Sequence, residues 1–173
     1  MTRYLVSAGP LAADSWYGHE ALEGSRFTGE GGHFIDTLSW WADSLPDDVY
    51  AVQGPEKDDV HVTVRFQNGS SGAITYVTGG NSRFPKETLD AAGGSQSARL
   101  DNFSRATVWT GRRASVTRAR GGQDKGQRAE LAQCVKASLT GALMPIPLES
   151  LVAVTRATIA VRESLLSGRP ERV

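Results

Sequence analysis

The sequence predicts an α+β fold, in which a mostly antiparallel sheet carries helices packed on one face and leaves the other face available for oligomerisation. From Val49 to about Arg120, apolar residues recur at every second position in short segments separated by glycine-rich turns. Before and after this region, apolar residues recur at the spacing of an α-helix instead. One helix, a run of short strands and two closing helices are typical of an antiparallel meander with helices against it.

The first predicted elements are a short strand and a helix. Residues 4–8 are mostly apolar, and Gly9-Pro10 ends the strand that they form. A helix is expected from near Gly31 toward Ser44, and Pro46 stops it. Four residues share one face of the helical wheel, so this face is predicted to lie in the core: Ile35, Leu38, Ala42 and Leu45.

The alternation of apolar and polar residues is clearest at residues 60–66, which predicts a half-buried strand. The Asn68-Gly69 pair predicts a turn, because both residue types tolerate positive φ, and residues 73–78 form the return strand. Further strands are predicted at residues 87–92, 98–103, 106–109 and 114–118.

Two helices are predicted at the end of the chain. The first begins near Asp124, a favourable N-cap residue, and ends at Gly141. The second follows residues 145–147 and ends at Gly168. Residues at helical spacing are expected to face the core: Leu131, Cys134, Val135 and Leu139 in the first helix, and Leu151, Val154, Thr158, Val161 and Leu165 in the second.

Length and composition indicate a single domain over residues 1–173. The mass of 18.5 kDa fits one hydrophobic core. With 19 basic and 19 acidic residues the formal net charge is zero, which argues against a nucleic-acid partner because phosphate binding needs a cationic excess. No membrane association is expected, because the chain has neither a long apolar run nor the apolar core of a signal peptide. A single cysteine favours a cytoplasmic location.

Several families of catalytic and binding motifs are missing from the sequence. It contains no dinucleotide-binding glycine fingerprint, no Walker loop, no nucleophile elbow and no zinc-protease motif. The histidines, His19, His33 and His61, lie far apart, and Cys134 is the only thiol. No metal site is therefore expected.

The segment GEGGHFID at residues 29–36 resembles the histidine-bearing helix start of the Gfo/Idh/MocA oxidoreductases, the relatives of glucose–fructose oxidoreductase and inositol dehydrogenase. The resemblance covers nearly the whole chain but only the C-terminal domain of that family. Further similar segments follow in the family's order: residues 4–10, 14–16, 66–70 (FQNGS), 84–87 (FPKE), 124–126 (DKG) and 145–147 (PIP).

This resemblance implies one part of a two-part enzyme. In the family, an N-terminal Rossmann domain binds NAD or NADP and supplies a catalytic lysine, usually in a Glu-Lys-Pro motif. The C-terminal domain supplies substrate contacts, a histidine and a sheet face for oligomerisation. Here Glu56-Lys57 is followed by Asp58, so it is not that motif. We therefore expect no cofactor to be bound by this chain alone, and NAD or NADP in the complete enzyme.

His33 and Asp36 are the predicted catalytic residues. A histidine can move a hydroxyl proton near neutral pH, as alcohol oxidation requires, and Asp36 lies one helical turn away where it can orient the ring. The alternatives are a structural histidine and a solvated carboxylate in the first helical turn. The family places an aspartate four residues before the histidine; this chain has Gly29 there, so that polar contact is missing or comes from Glu30.

Six further residues are predicted to contact substrate. Aromatic faces can stack on sugar C–H surfaces, and the basic residues can bind hydroxyls or a phosphate. For each of them, core packing or a solvated surface position is the competing interpretation. The six are Trp16, Tyr17, Trp40, Arg83, Lys86 and Lys125.

The resemblance thus implies a substrate-binding and oligomerisation domain of an NAD(P)-dependent oxidoreductase for a sugar, polyol or related hydroxy compound, inactive by itself. It works with a Rossmann partner subunit or with an N-terminal domain of a longer chain. Short polar residues on the strands, Thr63, Thr75 and Thr117, predict a homodimer through the sheet face. The alternative is a non-catalytic association or carbohydrate-binding module derived from the same fold.

Overall fold

A computed structural model of the protein describes residues 1–11, 15 and 25–173. Within these ranges, the strands form one open sheet in the order β8-β7-β6-β5-β1-β4-β3-β2-β9. The strands are β1 Thr2–Ser7, β2 Pro46–Gln53, β3 Val60–Phe66, β4 Ser71–Val77, β5 Glu87–Gly93, β6 Gln96–Asp101, β7 Arg105–Thr110, β8 Arg113–Arg118 and β9 Glu171–Arg172.

The fold class predicted from the sequence is confirmed, with one correction to the strand order. Every neighbouring pair is antiparallel except β1 and β4, which run parallel. The prediction of an uninterrupted meander is therefore wrong at one point, because β1 lies between β4 and β5 in the sheet. The connection over residues 78–86 is longer than a hairpin loop, so the chain can pass the end of β1 before it enters β5.

The described helices are α1 Arg26–Ala42, α2 Gln127–Thr140 and α3 Leu148–Ser167. Helix α1 begins five residues before the predicted start, because the Ser25 hydroxyl accepts a hydrogen bond from the Thr28 N–H at 3.3 Å and caps it. Asp124 is not the N-cap of α2, contrary to prediction. Its carboxylate instead accepts from the Gly126 N–H at 2.8 Å, and Gly126 is the N-cap.

Helices α1 and α3 pack on each other and on the strands from β1 to β4. Gly72 permits close packing, since a Cβ there would lie 2.9 Å from Cδ1 of Leu38. The side chains that are fully buried between helices and sheet include Val6, Ile35, Leu38, Val62, Val64, Ile74, Tyr76 and Ala157. The core stripe predicted for α3 is largely confirmed, since Val154, Thr158 and Val161 are buried.

The opposite face of the sheet is free of the described helices. Thr63 and Thr75 lie on it, as predicted, and the His61 ring shares a 2.9 Å hydrogen bond with the Thr75 hydroxyl there. Thr117 does not lie on it, because its register partner Ala106 belongs to the helix-bearing side. No helix in the described ranges is long and apolar enough to cross a membrane.

Candidate active site

His33 lies on the exposed side of α1. The next residues, Phe34 and Ile35, are buried, so the helix fixes the position of the histidine while its ring faces solvent. Gly31, two residues before it, serves packing: a Cβ there would lie 2.4 Å from Cε1 of Phe27, whose ring covers that turn. Among the described residues, no side chain hydrogen-bonds to the imidazole, which leaves both ring nitrogens available.

Asp36 lies one turn further along α1 and is half-buried. Burial raises the pKa of its carboxyl above the ordinary value, His33 opposes this shift, and Glu130 on the first turn of α2 adds to it. The negative charge of Glu130 thus contributes to the electrostatic environment of the turn that carries His33 and Asp36. We call these three residues, His33, Asp36 and Glu130, the histidine edge.

An ion pair between a buried carboxylate and a partly exposed lysine lies close to this part of the molecule. The Tyr4 hydroxyl donates to Oε2 of Glu87 at 2.6 Å, and the Lys125 ammonium pairs with Oε1 of the same carboxylate. Lys125 also lies 5.5 Å from the centre of the Phe103 ring. Burial, together with Glu87, strongly raises the pKa of Tyr4, so its phenol remains a proton donor to the carboxylate.

The buried cluster connects directly to the helix turn of the site. The Tyr4 ring packs against Phe34 with 5.2 Å between the ring centres, and Phe34 follows His33 in the chain. The turn that presents His33 therefore lies on a tyrosine whose hydroxyl is fixed by Glu87 and Lys125.

Glu30 does not take the place of the aspartate that is absent at position 29. Its Oε1 accepts a hydrogen bond from Nε of Arg26 at 3.2 Å. Arg26 is itself buried, donates to the Gly9 carbonyl at 2.7 Å and lies over the Tyr76 ring at 5.6 Å. The Glu30 carboxylate therefore serves to hold Arg26 at the start of α1.

The other predicted substrate contacts are spread over the surface. Trp40 is exposed two helical turns beyond His33, about 10 Å along the axis, and its ring meets the edge of Trp41. Arg83 and Lys86 are exposed on the loop between β4 and β5. Lys125 is engaged by Glu87, as described above. Trp16 and Tyr17 lie outside the described residues.

Sequence reasoning missed Tyr4, Glu87 and Glu130. A usable signal existed for Glu87: it shares the inward register of β5 with Leu89 and Ala91, where a carboxylate must have a partner. No such signal identifies Glu130, because it depends on where α2 lies relative to α1. Among the described residues, no group of three potential ligands is arranged to hold a metal ion.

No model of a known protein family matches the sequence, and no curated protein does either. Solved structures do resemble its fold. Levoglucosan dehydrogenase in complex with NADH is similar over 99% of this chain and 57% of its own, with a TM-score of 0.79 and 19% identity. Aldose-aldose oxidoreductase from Caulobacter crescentus, complexed with glycerol, is similar over 99% and 55%, with a TM-score of 0.80 and 16% identity.

A third similar structure is the super-repressor mutant of Gal80p from Saccharomyces cerevisiae, matched over 99% of this chain and 57% of its own at a TM-score of 0.76 and 15% identity. Across the similar structures, this chain spans a little over half of their length, 54% to 58%. The fold is thus one found in a class of oxidoreductases, as part of a longer chain. This likeness in fold, over part of longer oxidoreductase chains, agrees with the resemblance to a C-terminal domain described in the sequence analysis.

Proposed function

We propose that this chain is the substrate-binding and oligomerisation domain of an NAD(P)-dependent oxidoreductase that acts on a sugar, polyol or related hydroxy compound. The observation that carries the proposal is the placement of His33, exposed in the middle of a helix whose other side is firmly buried. Its support from fold is the likeness to an NADH-bound levoglucosan dehydrogenase and a glycerol-bound aldose-aldose oxidoreductase.

His33 is assigned the role of accepting the proton that the alcohol oxygen loses in the reaction. Oxidation of a secondary alcohol removes a hydride from carbon and a proton from oxygen, and an imidazole nitrogen accepts that proton near neutral pH. Asp36, one turn away, is assigned the orientation of the ring. The half-buried position of Asp36 suits this role, because a carboxylate there gains from a cationic neighbour.

The nicotinamide cofactor receives the hydride and is assigned to another unit. A dinucleotide site of the Rossmann type needs parallel strands followed by a glycine-rich helix start. In the described ranges, the only parallel pair is β1 with β4, and the chain enters β5 after β4 without an intervening helix. This topology does not fit the cofactor, so the proposal gives this chain only substrate contacts and the proton step, without activity by itself.

The helix-free face of the sheet is proposed as the homodimer interface. Short side chains along its centre, including Ala73 and Thr75 on β4, make it flat, and the charge of the neighbouring Arg65 is compensated by Asp47 and Asp48. Light scattering is expected to give a dimer at high concentration. A clean monomer would contradict this part of the proposal.

A second candidate function is a non-catalytic association or carbohydrate-binding module. It is favoured by a difference from the Gfo/Idh/MocA pattern, which has an aspartate where this chain has Gly29, while the nearby Glu30 is bound to Arg26. The super-repressor mutant of Gal80p has a similar fold, so the fold alone does not establish an enzyme. Such a module binds a sugar without hydride transfer.

The test begins with the mass of the native protein in its source cells, detected with an antibody against this domain. A mass near 18.5 kDa directs the search to a partner subunit, and a much larger mass directs assays to the long chain. The assembly that binds NAD or NADP is then tested for nucleotide reduction with a panel of polyols and sugars.

His33→Ala should lower the rate at least about 100-fold, the usual contribution of general base catalysis. Leu166→Ala, an exposed position on α3, is the control and should keep the full rate. If His33→Ala also keeps the full rate, the role of His33 is wrong. If sugars bind but no variant transfers hydride, the non-catalytic module is correct.

A further inference from the structure

Helix α2 exposes the apolar stripe that the sequence predicts to be core. Leu131, Val135 and Leu139 recur every fourth residue, and all three are more than half exposed. Ala137 is the only residue of the helix that is buried. Helix α3, in contrast, buries Val154, Ala157 and Val161 against the rest of the domain. A stripe of this kind normally has an apolar surface opposite it.

The exposure does not result from a detached helix. Lys125, two residues before α2, is fixed by Glu87, and the Asp124 N–H donates to the Phe103 carbonyl at 3.3 Å. The Gln123 side chain donates to the Asn102 carbonyl at 3.0 Å. These contacts hold the start of α2 against β5 and the turn after β6. The apolar stripe of the helix nevertheless faces solvent.

The stripe lies next to the candidate active site. The start of α2 connects to the site by contacts: Lys125 pairs with Glu87, and Glu87 accepts a hydrogen bond from the Tyr4 hydroxyl. The Tyr4 ring packs against Phe34, the residue that follows His33. A unit that brings a nicotinamide to His33 must approach the histidine edge closely, because hydride transfer requires contact. Within the described part of the chain, α2 is the element that borders this edge and has an uncovered apolar face.

The similar structures indicate what kind of unit this is. They contain an additional 42% to 46% of chain beyond the part matched here, and they include an NAD-binding oxidoreductase from Klebsiella pneumoniae. We propose that the stripe of Leu131, Val135 and Leu139 on α2 is the docking surface for a nucleotide-binding domain. This inference rests on the proposed function and adds the surface through which the two units meet.

The test measures how accessible the stripe is in the protein as it occurs in its source cells. Leu139→Cys and Leu166→Cys are compared in a Cys134→Ser background, because the two leucines are almost equally exposed in this chain, at 82% and 79%. Maleimide labelling rates are measured for the 173-residue chain and for the native assembly. NAD and NADP binding to the same assembly is measured by fluorescence quenching.

In the isolated chain both cysteines should react at similar rates. In an assembly that binds NAD or NADP, labelling at position 139 should slow by about 10-fold or more, as at a buried interface, while labelling at position 166 changes less than about 2-fold. In the same assembly, Val135→Glu should disrupt the interface and restore fast labelling at position 139, yet the isolated domain should unfold at an unchanged urea midpoint.

Each other result overturns the docking surface in a distinguishable way. If the assembly binds the nucleotide and position 139 still reacts freely, the surface is wrong while the proposed function stands. If no assembly binds a nucleotide, the proposed function fails as well. If protection at position 139 appears in a dimer of this chain alone, the occupant is a second copy. If Val135→Glu unfolds the isolated chain, the stripe belongs to its own core.

Discussion

The two halves of the sheet differ in what covers them. Strands β1 to β4 lie under α1 and α3, and inward residues such as Val6, Val62 and Ile74 have no exposed surface. On β7 and β8 the corresponding positions are open: Val108 is exposed, and so is its register partner Ser115. We call these regions the covered half and the open half.

This difference shows which part of the chain has a hydrophobic core that its own residues close. The covered half has a closed core of aliphatic and aromatic side chains, which supplies the hydrophobic free energy that folding needs. The open half and α2 present apolar side chains to solvent, such as Trp109, Val116 and Leu139. The proposed nucleotide-binding domain meets a surface outside the covered half, whereas the proposed second copy meets the helix-free side of the sheet, which includes β3 and β4.

The largest effect is expected from removing a core side chain of the covered half. Leu38→Ala should lower the free energy of unfolding by about 2–5 kcal/mol, because Leu38 is fully buried and its cavity cannot be filled by solvent. The matched change in α2, Leu139→Ala, should cost less than about 0.5 kcal/mol in the isolated chain. Urea unfolding followed by circular dichroism measures both. Equal losses would abolish the distinction between the halves.

A smaller effect is expected at the junction of the halves, where Lys125 pairs with Glu87. Lys125→Met leaves the buried carboxylate without its cation and should cost about 1–2 kcal/mol, less than a fully buried pair because Lys125 is partly exposed. Lys136→Met, an exposed change within α2, is the control and should be nearly neutral. Combining Lys125→Met with Glu87→Gln should recover part of the loss. If the effects of Lys125→Met and Glu87→Gln on the free energy of unfolding simply add, the ion pair contributes nothing to stability.

The covered half was the more predictable part of the fold. Strand β3 was predicted at its exact bounds, because Val60, Val62, Val64 and Phe66 alternate without interruption. The exact start of α1 was not predicted, since its cap is Ser25 and the glycines at positions 29, 31 and 32 weaken the helical signal. The two-residue strand β9 carries no periodic signal and was missed.

Tertiary contacts explain what the sequence did not reveal about the site. Periodicity shows that α2 has an apolar stripe but not whether its partner is in this chain, so Leu131 and Val135 were expected in the core. The Tyr4 contact to Glu87 joins residues 83 positions apart, and only the strand order brings them together. His33 could be identified because its segment resembles a family motif, and its role stays a prediction.

Asp36 allows a test of the histidine edge that does not depend on activity. The folded-state pKa of Asp36 is raised above its unfolded value, chiefly by burial, so the stability tied to its protonated form is present at low pH and is lost as pH rises through the folded pKa. Asp36→Asn should therefore raise the free energy of unfolding at pH 7 by less than about 1 kcal/mol, which is measured as a higher thermal midpoint. The gain should vanish near pH 3, where the aspartate at position 36 is protonated and therefore as uncharged as the asparagine that replaces it. A loss of stability at pH 7 would show instead that the attraction to His33 outweighs burial.

The smallest effect is expected from the surface cluster that links the halves on the helix-free face. Asp90 on β5 accepts hydrogen bonds from Arg99 on β6 at 2.6 Å and from Arg3 on β1 at 2.6 Å. These contacts, Arg99 first, lower the pKa of Asp90, so its contribution is present above the ordinary carboxyl range and is lost as pH falls through the lowered value. Both arginines are largely exposed, so Asp90→Asn should cost at most about 0.5 kcal/mol at pH 7, and less in high salt. Urea unfolding at neutral and acid pH, with and without added salt, checks the size and its sign. A cost of several kcal/mol would mean that the open half depends on this ionic link for its stability.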